Sequence, residues 1–450
     1  GELTRHYLVV PTLVTFIAAV IGNILGYTAM KNVVMNMYYH SYSLPPYQTL
    51  WNGDAFILTT VIPCIIITLI NLFVIAKALR LPPLQFLRHD FHMKKKKKAA
   101  KLPNFRFLTR FRLRIILQNI PSYIIMVFGI MFAGLLLFFG LALNPLLENY
   151  KTEVVNNMIC DYQYVLRAPV ETSNDAAEKF CMTMLYESND EEISAYGIEA
   201  DSEYLSKVNV PIKKNEVVAS QGYLEKYSLK VGDRVTLKDK YGENKYTFKI
   251  VGSYYYPASL CVFMTNDNFN DVFDKDDGYF TGYFSNEKLK DIDDKYIATT
   301  ITQKDLTTVT DQLDDSMGMS FTLLVGFSVL IYIILMYLLS KLVIEKNEQN
   351  ISMLKILGYS NREASKLYNR ATTVVTIGAI LVSVPLIYYV FAGLYHYFMF
   401  EMKGWLPYVV PWYVFVEMAV IGIICYAIIY FILQKKINKI KLSQALKSDD

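Results

Sequence analysis

The sequence predicts an α-helical polytopic membrane protein, with six transmembrane helices and one α+β extracytoplasmic domain. Three observations lead to this fold class: long apolar runs, segregated basic residues, and one long acidic insert. The chain has 450 residues, of which 53% are hydrophobic. Six runs exceed the length of about 18 apolar residues that indicates a spanning helix. They are Tyr7–Met30, Ala55–Leu79, Ile120–Leu143, Met319–Ile344, Ala371–Tyr397 and Pro411–Leu433.

The basic residues indicate how these helices cross the membrane. The segment Lys77–Arg114, between the second and third runs, carries 13 Lys or Arg, and further basic residues occur in Lys341–Arg370 and after Leu433. The loops Lys31–Asp54 and Phe398–Val410 carry one Lys each. Loops that are rich in Lys and Arg remain in the cytoplasm. We therefore expect both termini to be cytoplasmic in a multi-pass protein of the plasma membrane.

A long insert, residues 144–318, differs in charge from the rest of the chain. It holds 31 of the 41 acidic residues and 18 of the 45 basic ones, which gives it a net charge of −13. The remainder carries +17, so the overall charge of +4 hides two compartments of opposite sign. The basic residues therefore indicate membrane orientation and not nucleic acid binding. The insert is long enough to form one extracytoplasmic domain with its own core.

Inside the insert, apolar alternation and turn residues predict an α+β domain. A short helix is expected near Gln221–Tyr227, and the segment Glu171–Glu192 is expected to be helical. A turn that contains Gly242 joins two predicted strands, Arg234–Leu237 and Lys245–Val251, into a hairpin. A bridge between Cys160 and Cys181 is one alternative for the external cysteines, and fully reduced thiols are the other. The predicted strands are Glu216–Ala219, Arg234–Leu237 and Lys245–Val251.

The remaining divisions of the chain follow from the spans. Residues 1–91 hold the first two transmembrane helices. Residues 92–119 form a basic cytoplasmic linker, which ends in a predicted amphipathic helix on the membrane surface, Phe105–Asn119. The alternative for Phe105–Asn119 is a basic flank of the third span. Residues 120–143 form the third span, and residues 319–450 hold three more spans and a basic tail.

A short internal repeat relates the first pair of spans to the last pair. The loop of the first pair contains Leu44–Tyr47 (LPPY), and that of the last pair contains Leu406–Tyr408 (LPY). The sequence QFLR at Gln85–Arg88 has its counterpart in QALK at Gln444–Lys447. We therefore interpret residues 1–91 as the back half of the first of two repeats. Because Gly1 stands six residues before the first span, we expect the chain to be truncated at its amino terminus.

The segment 346–366, which we call the elbow, lies between the fourth and fifth spans. It predicts two helices that meet at a corner. Gly358 can adopt the left-handed conformation that ends a helix. Ser360 followed by Glu363 forms a capping box that begins the next helix, and this helix can continue into the fifth span. The first helix carries several apolar residues, which are Ile351, Met353, Leu354, Ile356 and Leu357.

The elbow sequence ISMLKILGYS, Ile351–Ser360, resembles the cytoplasmic signature of FtsX-like ABC transporter permeases, the MacB-type superfamily. The segment Tyr227–Leu237 is similar to the Val-Gly-Asp turn of their external domains, and Ala445–Lys447 is similar to their carboxyl-terminal tail. The resemblance covers 120–447 as one complete unit. It departs from the family at Asn350, where an acidic residue often stands.

The resemblance implies a permease subunit of a bacterial ABC system. A separate cytoplasmic ATPase, expected to be a dimer, would act on this subunit and thereby move its extracytoplasmic domain. Export or release of a peptide, lipoprotein or amphiphilic drug would follow. The alternative is a non-transporting regulator of an extracellular cell-wall hydrolase. The composition, rich in Lys, Ile, Asn and Tyr, indicates a Gram-positive source. The expected ATPase-coupling residues are Ile351, Leu354, Lys355, Leu357, Gly358, Tyr359 and Ser360.

No catalytic site is expected on this chain. It contains no G-x-x-x-x-G-K-[ST] loop, so ATP and Mg²⁺ would be bound by the partner, and no cofactor is expected here. His89 and His92 could bind a metal, but a solvated flank is the favoured interpretation, and no metal site is predicted. Glu417 is the one acidic residue well inside a predicted span. It is either a functional intramembrane acid or a residue near the outer interface.

Overall fold

A computed structural model describes residues 2–41, 45–78, 103, 107–241 and 244–438. Six of its helices are long and apolar enough to cross a membrane. These helices and a mixed β-sheet domain fit the predicted class of helical membrane protein with an α+β domain. The chain divides into two compact units, which are residues 1–114 with 315–320, and residues 115–314 with 321–450.

The first unit contains two antiparallel candidate spans. They pack against each other, and the Asn23 side-chain amide donates a hydrogen bond to the Thr60 hydroxyl at 2.9 Å. Each span includes one π-helical turn, at Gly26–Met30 and at Ile57–Val61. The α-helices are α1 (Glu2–Leu25), α2 (Lys31–Ser41), α3 (Gly53–Phe56) and α4 (Ile62–Ala78).

Several sequence predictions fall outside the described residues. The segments Gln85–Arg88 and Gln444–Lys447, on which the repeat depends, lie there, as do His89 and His92. The repeat therefore stays a prediction. The predicted amphipathic helix is described from Phe107 onward.

Long helices dominate the rest of the chain. Three of them, α6, α9 and α11, contain 37, 44 and 41 residues. At 1.5 Å per residue, each extends about 55–65 Å, well beyond a hydrocarbon layer of about 30 Å. The helices are α5 (Phe107–Gln118), α6 (Ile120–Asn156), α7 (Gln221–Tyr227), α8 (Asn266–Val272), α9 (Gln303–Lys346), α10 (Glu348–Ile356), α11 (Asn361–Glu401) and α12 (Trp412–Asn438).

Three glycines on α6 allow the neighbouring helices to approach closely. A Cβ atom on Gly129 would lie 2.7 Å from the Leu339 side chain of α9, and one on Gly140 would lie 2.8 Å from Val325. A Cβ atom on Gly134 would lie 2.7 Å from Ile387 of α11. Small residues at helix contacts are the usual means of close packing inside a bilayer. Helices α6, α11 and α12 share an apolar core that includes Leu137, Phe138, Phe391, Val414 and Met418.

The domain between α6 and α9 contains one nine-stranded sheet. Strand β2 pairs with β3 and with β5, so the strands β3, β7, β4, β6, β5 and β2 close into a ring, and β8, β1 and β9 continue from β2. The strands are β1 (Tyr162–Leu166), β2 (Glu178–Tyr186), β3 (Glu192–Ile198), β4 (Glu216–Ser220), β5 (Arg234–Lys238), β6 (Lys245–Tyr254), β7 (Cys261–Thr265), β8 (Gly282–Ser285) and β9 (Ile297–Ile301).

Most of the predicted pattern in this domain is confirmed. Strand β4, helix α7 and the β5–β6 hairpin form where the sequence placed them, although the turn residue Gly242 lies outside the described part. The expected helix over Glu171–Glu192 is wrong, because β2 occupies its centre. Pairing of β2 with β3 and β8 stabilises the extended backbone, so tertiary context overrides local propensity.

The disulfide alternative is also wrong. Cys160 and Cys181 are both free and buried, and they belong to separate apolar clusters of the domain. Cys261 is also free and buried. Burial raises the pKa of all three thiols to about 12, so they remain protonated and unreactive at neutral pH.

Candidate functional site at the helical elbow

The elbow consists of the end of α9, the short helix α10 and the beginning of α11, as predicted. Asn347 forms the hinge between α9 and α10. Its side chain is buried, and its amide donates a hydrogen bond to the Val343 carbonyl at 2.7 Å. The Asn119 amide, between α5 and α6, lies 3.5 Å from the Asn347 side-chain oxygen. The hinge is therefore held by the helix that precedes the external domain.

Gly358 forms the corner after α10. Its φ angle is +92°, in the left-handed region. The Tyr359 N–H donates to the Leu354 carbonyl at 3.1 Å, and the Gly358 N–H donates to the Lys355 carbonyl at 3.2 Å. These two bonds form a Schellman motif, so the predicted left-handed corner is confirmed. A Cβ atom on Gly358 would meet no atom within 4 Å, so the backbone angle, and not lack of space, favours glycine.

The predicted capping box begins α11. The Ser360 hydroxyl accepts a hydrogen bond from the Glu363 N–H at 3.3 Å, and the Glu363 carboxylate accepts one from the Ser360 N–H at 2.9 Å. Two backbone N–H groups that have no partner within the helix are thereby satisfied. The corner and the box together fix the direction in which α11 leaves the elbow.

The inner face of the elbow is tied to the neighbouring helices. Ile351 is fully buried, and the Lys355 ammonium donates to the Ile437 carbonyl at the end of α12, at 2.9 Å. Partial burial lowers the pKa of Lys355. The Lys346 ammonium donates to the Ser122 hydroxyl of α6 at 2.7 Å, and Lys436 pairs with Glu345. These contacts connect the elbow to α6 and α12.

The outer face of the elbow presents apolar side chains. Met353, Ile356 and Leu357 are 57%, 50% and 69% exposed, and Tyr359 is 39% exposed. The spacing of i, i+3 and i+4 places the first three on one side of α10. We call Met353, Ile356 and Leu357 the exposed face. Charged residues on the same short helix, Glu348 and Lys355, set it apart from the apolar spans.

The structure divides the predicted coupling residues into three groups by exposure. Leu357, Gly358, Tyr359 and Ser360 are exposed, Leu354 and Lys355 are half-buried, and Ile351 points inward. Their role in coupling stays a prediction. Met353 and Ile356 of the exposed face were not among the predicted coupling residues. The helical spacing of Met353, Ile356 and Leu357 was the signal that could have identified them.

Pairs of polar residues inside the helical bundle are a feature that the sequence does not reveal. The Thr373 and Tyr426 hydroxyls lie 2.9 Å apart, between α11 and α12, and those of Tyr123 and Thr372 lie 3.3 Å apart, between α6 and α11. These hydroxyl residues lie in otherwise apolar runs and form no recognisable sequence motif. Glu417 is exposed on α12, and within the described part of the chain it makes no ion pair. Its functional role stays a prediction.

No group of three or more His, Cys, Asp or Glu that could hold a metal ion occurs among the described residues. No phosphate-binding loop lies at the elbow, where the described groups include apolar side chains, capped helix ends, ammonium groups and the carboxylates of Glu348 and Glu363. Such a surface can bind another protein.

Residues 322–442 match the family model of the FtsX-like permease C-terminal domain. The matched part begins within α9 and includes the elbow, α11 and α12. No curated protein matches the chain. The family match, together with six long apolar helices, supports an ABC-type permease subunit of the FtsX-like family, a membrane component that is itself generally non-catalytic.

Proposed function

We propose that this chain is the membrane subunit of a bacterial ABC system and that a separate cytoplasmic ATPase docks on the exposed face of the elbow. The observation that carries the proposal is the exposed face itself. Contiguous exposed apolar side chains outside a spanning segment mark a surface for another protein. Met353, Ile356 and Leu357 lie beside charged groups on α10, which favours the aqueous side of the bilayer over its interior.

The mechanism that we propose is mechanotransmission. Closure of an ATPase dimer would press on the exposed face, and the Schellman corner and capping box would pass the displacement to α11. Helix α11 runs without interruption from Asn361 to Glu401, and α9 runs from the external domain to the elbow. Two continuous helices of about 60 Å can transmit a displacement across the bilayer without a channel between them.

The remaining parts of the proposal follow from the charge pattern. The charge pattern supports a cytoplasmic location for both termini and the elbow, and an external location for the acidic insert, residues 144–318. The displaced external domain would export or release a peptide, a lipoprotein or an amphiphilic drug. ATP and Mg²⁺ would be bound by the partner. We do not expect nucleic acid as a partner, because membrane orientation accounts for the distribution of the basic residues.

Leu357→Asp tests the docking surface. The change places a carboxylate in the centre of an apolar interface, where an unpaired charge is strongly unfavourable. We expect the ATPase that copurifies with the wild-type chain to be lost from purified Leu357→Asp protein. Ile212→Asp is the matched control, because Ile212 is 86% exposed on the external domain. It should keep the ATPase.

Two outcomes would contradict this proposal. Full copurification with Leu357→Asp, at normal expression, would mean that the exposed face is not the docking site. Loss of the ATPase in both variants would mean that the effect of an added carboxylate is not specific to the elbow.

A further inference from the structure

The last turn of α7, in the external domain, contains a lysine whose charge is buried. The Lys226 side chain has no exposed surface. Its ammonium donates hydrogen bonds to the Met402 carbonyl at 2.6 Å and to the Gly404 carbonyl at 2.9 Å. Met402 directly follows Glu401 and is the C-cap residue of α11. The lysine therefore places a positive charge at the carboxyl end of α11, where unsatisfied carbonyls and the helix dipole favour a cation.

Glu191, which immediately precedes β3, closes a ring of interactions with this lysine. One carboxylate oxygen lies 3.0 Å from the Lys226 ammonium, and the other accepts a hydrogen bond from the Gly404 N–H at 2.6 Å. The three donors of the ammonium thus have three acceptors, and both carboxylate oxygens are occupied. Gly404 has a φ angle of +79°, which favours glycine at this position. We call Glu191, Lys226 and Gly404 the latch.

Neighbouring contacts extend the latch. The Trp405 indole N–H donates to the Glu225 carboxylate at 3.0 Å, and the rings of Tyr227 and Phe400 meet edge to face, 5.6 Å apart. Three successive residues of α7 therefore contact the end of α11 or the loop that follows it. Covalent links join the external domain to α6 and α9, and the latch adds a connection to α11.

A buried ion pair is a poor way to gain stability. Removing two charges from water costs about as much as their attraction returns, and well-packed apolar residues often serve better. A buried pair does fix geometry, because each group needs the other in one arrangement. The latch would therefore define how the external domain is oriented on α11.

We propose that the latch remains closed and makes the external domain follow α11 when the elbow moves. The proposal rests on the function proposed above in so far as an ATPase supplies the movement, but the latch itself can be tested on the chain alone. The exposed face lies at α10, just before α11 begins, and the latch lies at the carboxyl end of α11. The first receives the displacement, and the second delivers it to the external domain.

An engineered disulfide provides the first test. A Cβ atom on Gly222 would lie 3.6 Å from the Trp405 Cβ atom, within the range of about 3.5–4.5 Å that a disulfide requires. With Gly222→Cys and Trp405→Cys together, we expect rapid disulfide formation in membranes of the chain alone, after addition of a mild oxidant. The single cysteine variants are the controls. Adding Glu191→Gln and Lys226→Met to the double-cysteine variant should slow disulfide formation about tenfold or more. These two changes together leave no unpaired buried charge.

Coupling is measured with the copurified ATPase, as the ATP-dependent change in trypsin cleavage between Lys238 and Lys245. Glu191→Gln/Lys226→Met should bind the ATPase normally and lose this change by about tenfold or more. Oxidising the engineered disulfide in that background should restore the change, and reducing it should abolish it again.

The outcomes separate the two proposals. Equal rates of disulfide formation with and without the charged pair would overturn the latch, whatever the ATPase does. A locked disulfide that blocks the change in the otherwise wild-type chain would also overturn it, since the latch would then have to open. If no ATPase copurifies with the wild-type chain, the function proposed above fails, and the disulfide rates still decide whether the latch exists.

Discussion

The two ends of α11 reverse the usual distribution of side chains in opposite ways. At the elbow, the aliphatic side chains of Met353, Ile356 and Leu357 are exposed. At the latch, the charged groups of Lys226 and Glu191 are buried. Both arrangements are unfavourable for an isolated chain, because apolar surface remains in water at one end and charge is removed from water at the other.

The difference indicates what each end can do. An exposed apolar face is incomplete, and a partner that covers it would gain the free energy of burying that surface. A fully satisfied buried pair is complete, and no further ligand can reach it. The elbow is therefore suited to association and release, whereas the latch is suited to a permanent connection within the chain. One continuous helix, α11, connects the two ends.

The largest expected effect concerns the sides of the membrane on which the two ends lie. A cysteine at Asn244, in the external domain, should react with a membrane-impermeant maleimide in intact cells. A cysteine at Asn361, at the elbow, should react only after the cells are permeabilised. Both positions are exposed, so the bilayer alone accounts for the difference. The unsubstituted chain is the control, and the reverse pattern would contradict the orientation derived from the basic residues.

Much of the fold could be predicted because local sequence determines it. Each span is a long apolar run, and the elbow's corner and capping box need only Gly358, Ser360 and Glu363 at fixed spacing. The β5–β6 hairpin likewise depends on two neighbouring alternating segments. These features involve residues that are close in the chain, so periodicity and turn chemistry are sufficient.

The rest depends on contacts between distant residues. Strand β2 is extended because β3 and β8 pair with it, and nothing within Glu171–Glu192 reveals those partners. The latch joins Glu191 to Lys226 and to Gly404, and Glu191 and Gly404 are 213 positions apart in the sequence. Each of these residues resembles an ordinary surface group in the sequence. Which elbow residues point outward also depends on packing, since Ile351 is covered by other helices.

A smaller effect is expected when the two ends are compared by stability. Lys226→Met leaves the Glu191 carboxylate buried and unpaired, at a cost of about 3–5 kcal/mol. Leu357→Asp changes an exposed side chain, and its effect on unfolding should remain within about 0.5 kcal/mol. The measurement is the apparent unfolding temperature of the purified chain in detergent. We expect a clear decrease for Lys226→Met and almost none for Leu357→Asp.

The neutral pair provides the control for this comparison. Glu191→Gln/Lys226→Met removes both charges, so it should destabilise the chain less than Lys226→Met alone. If the single and double variants unfold at the same temperature, the cost does not arise from an unpaired carboxylate, and the contrast between the two ends loses its electrostatic basis.

The smallest effect concerns two glycines, one at each end of α11. Gly358 and Gly404 have φ angles of +92° and +79°, and a Cβ atom at either position would meet no atom within 4 Å. Alanine should therefore cost only the left-handed strain, about 1–2 kcal/mol at each site, and asparagine should cost less. Apparent unfolding temperatures should show two similar decreases. A functional measurement distinguishes loss of transmission from simple destabilisation. With Gly358→Ala the exposed face is intact, so the ATPase should still bind while the ATP-dependent change in trypsin cleavage is lost. Gly358→Asn should retain most of that change. If alanine and asparagine at Gly358 behave alike, backbone strain at the corner does not control transmission, and α11 does not receive its displacement through that turn.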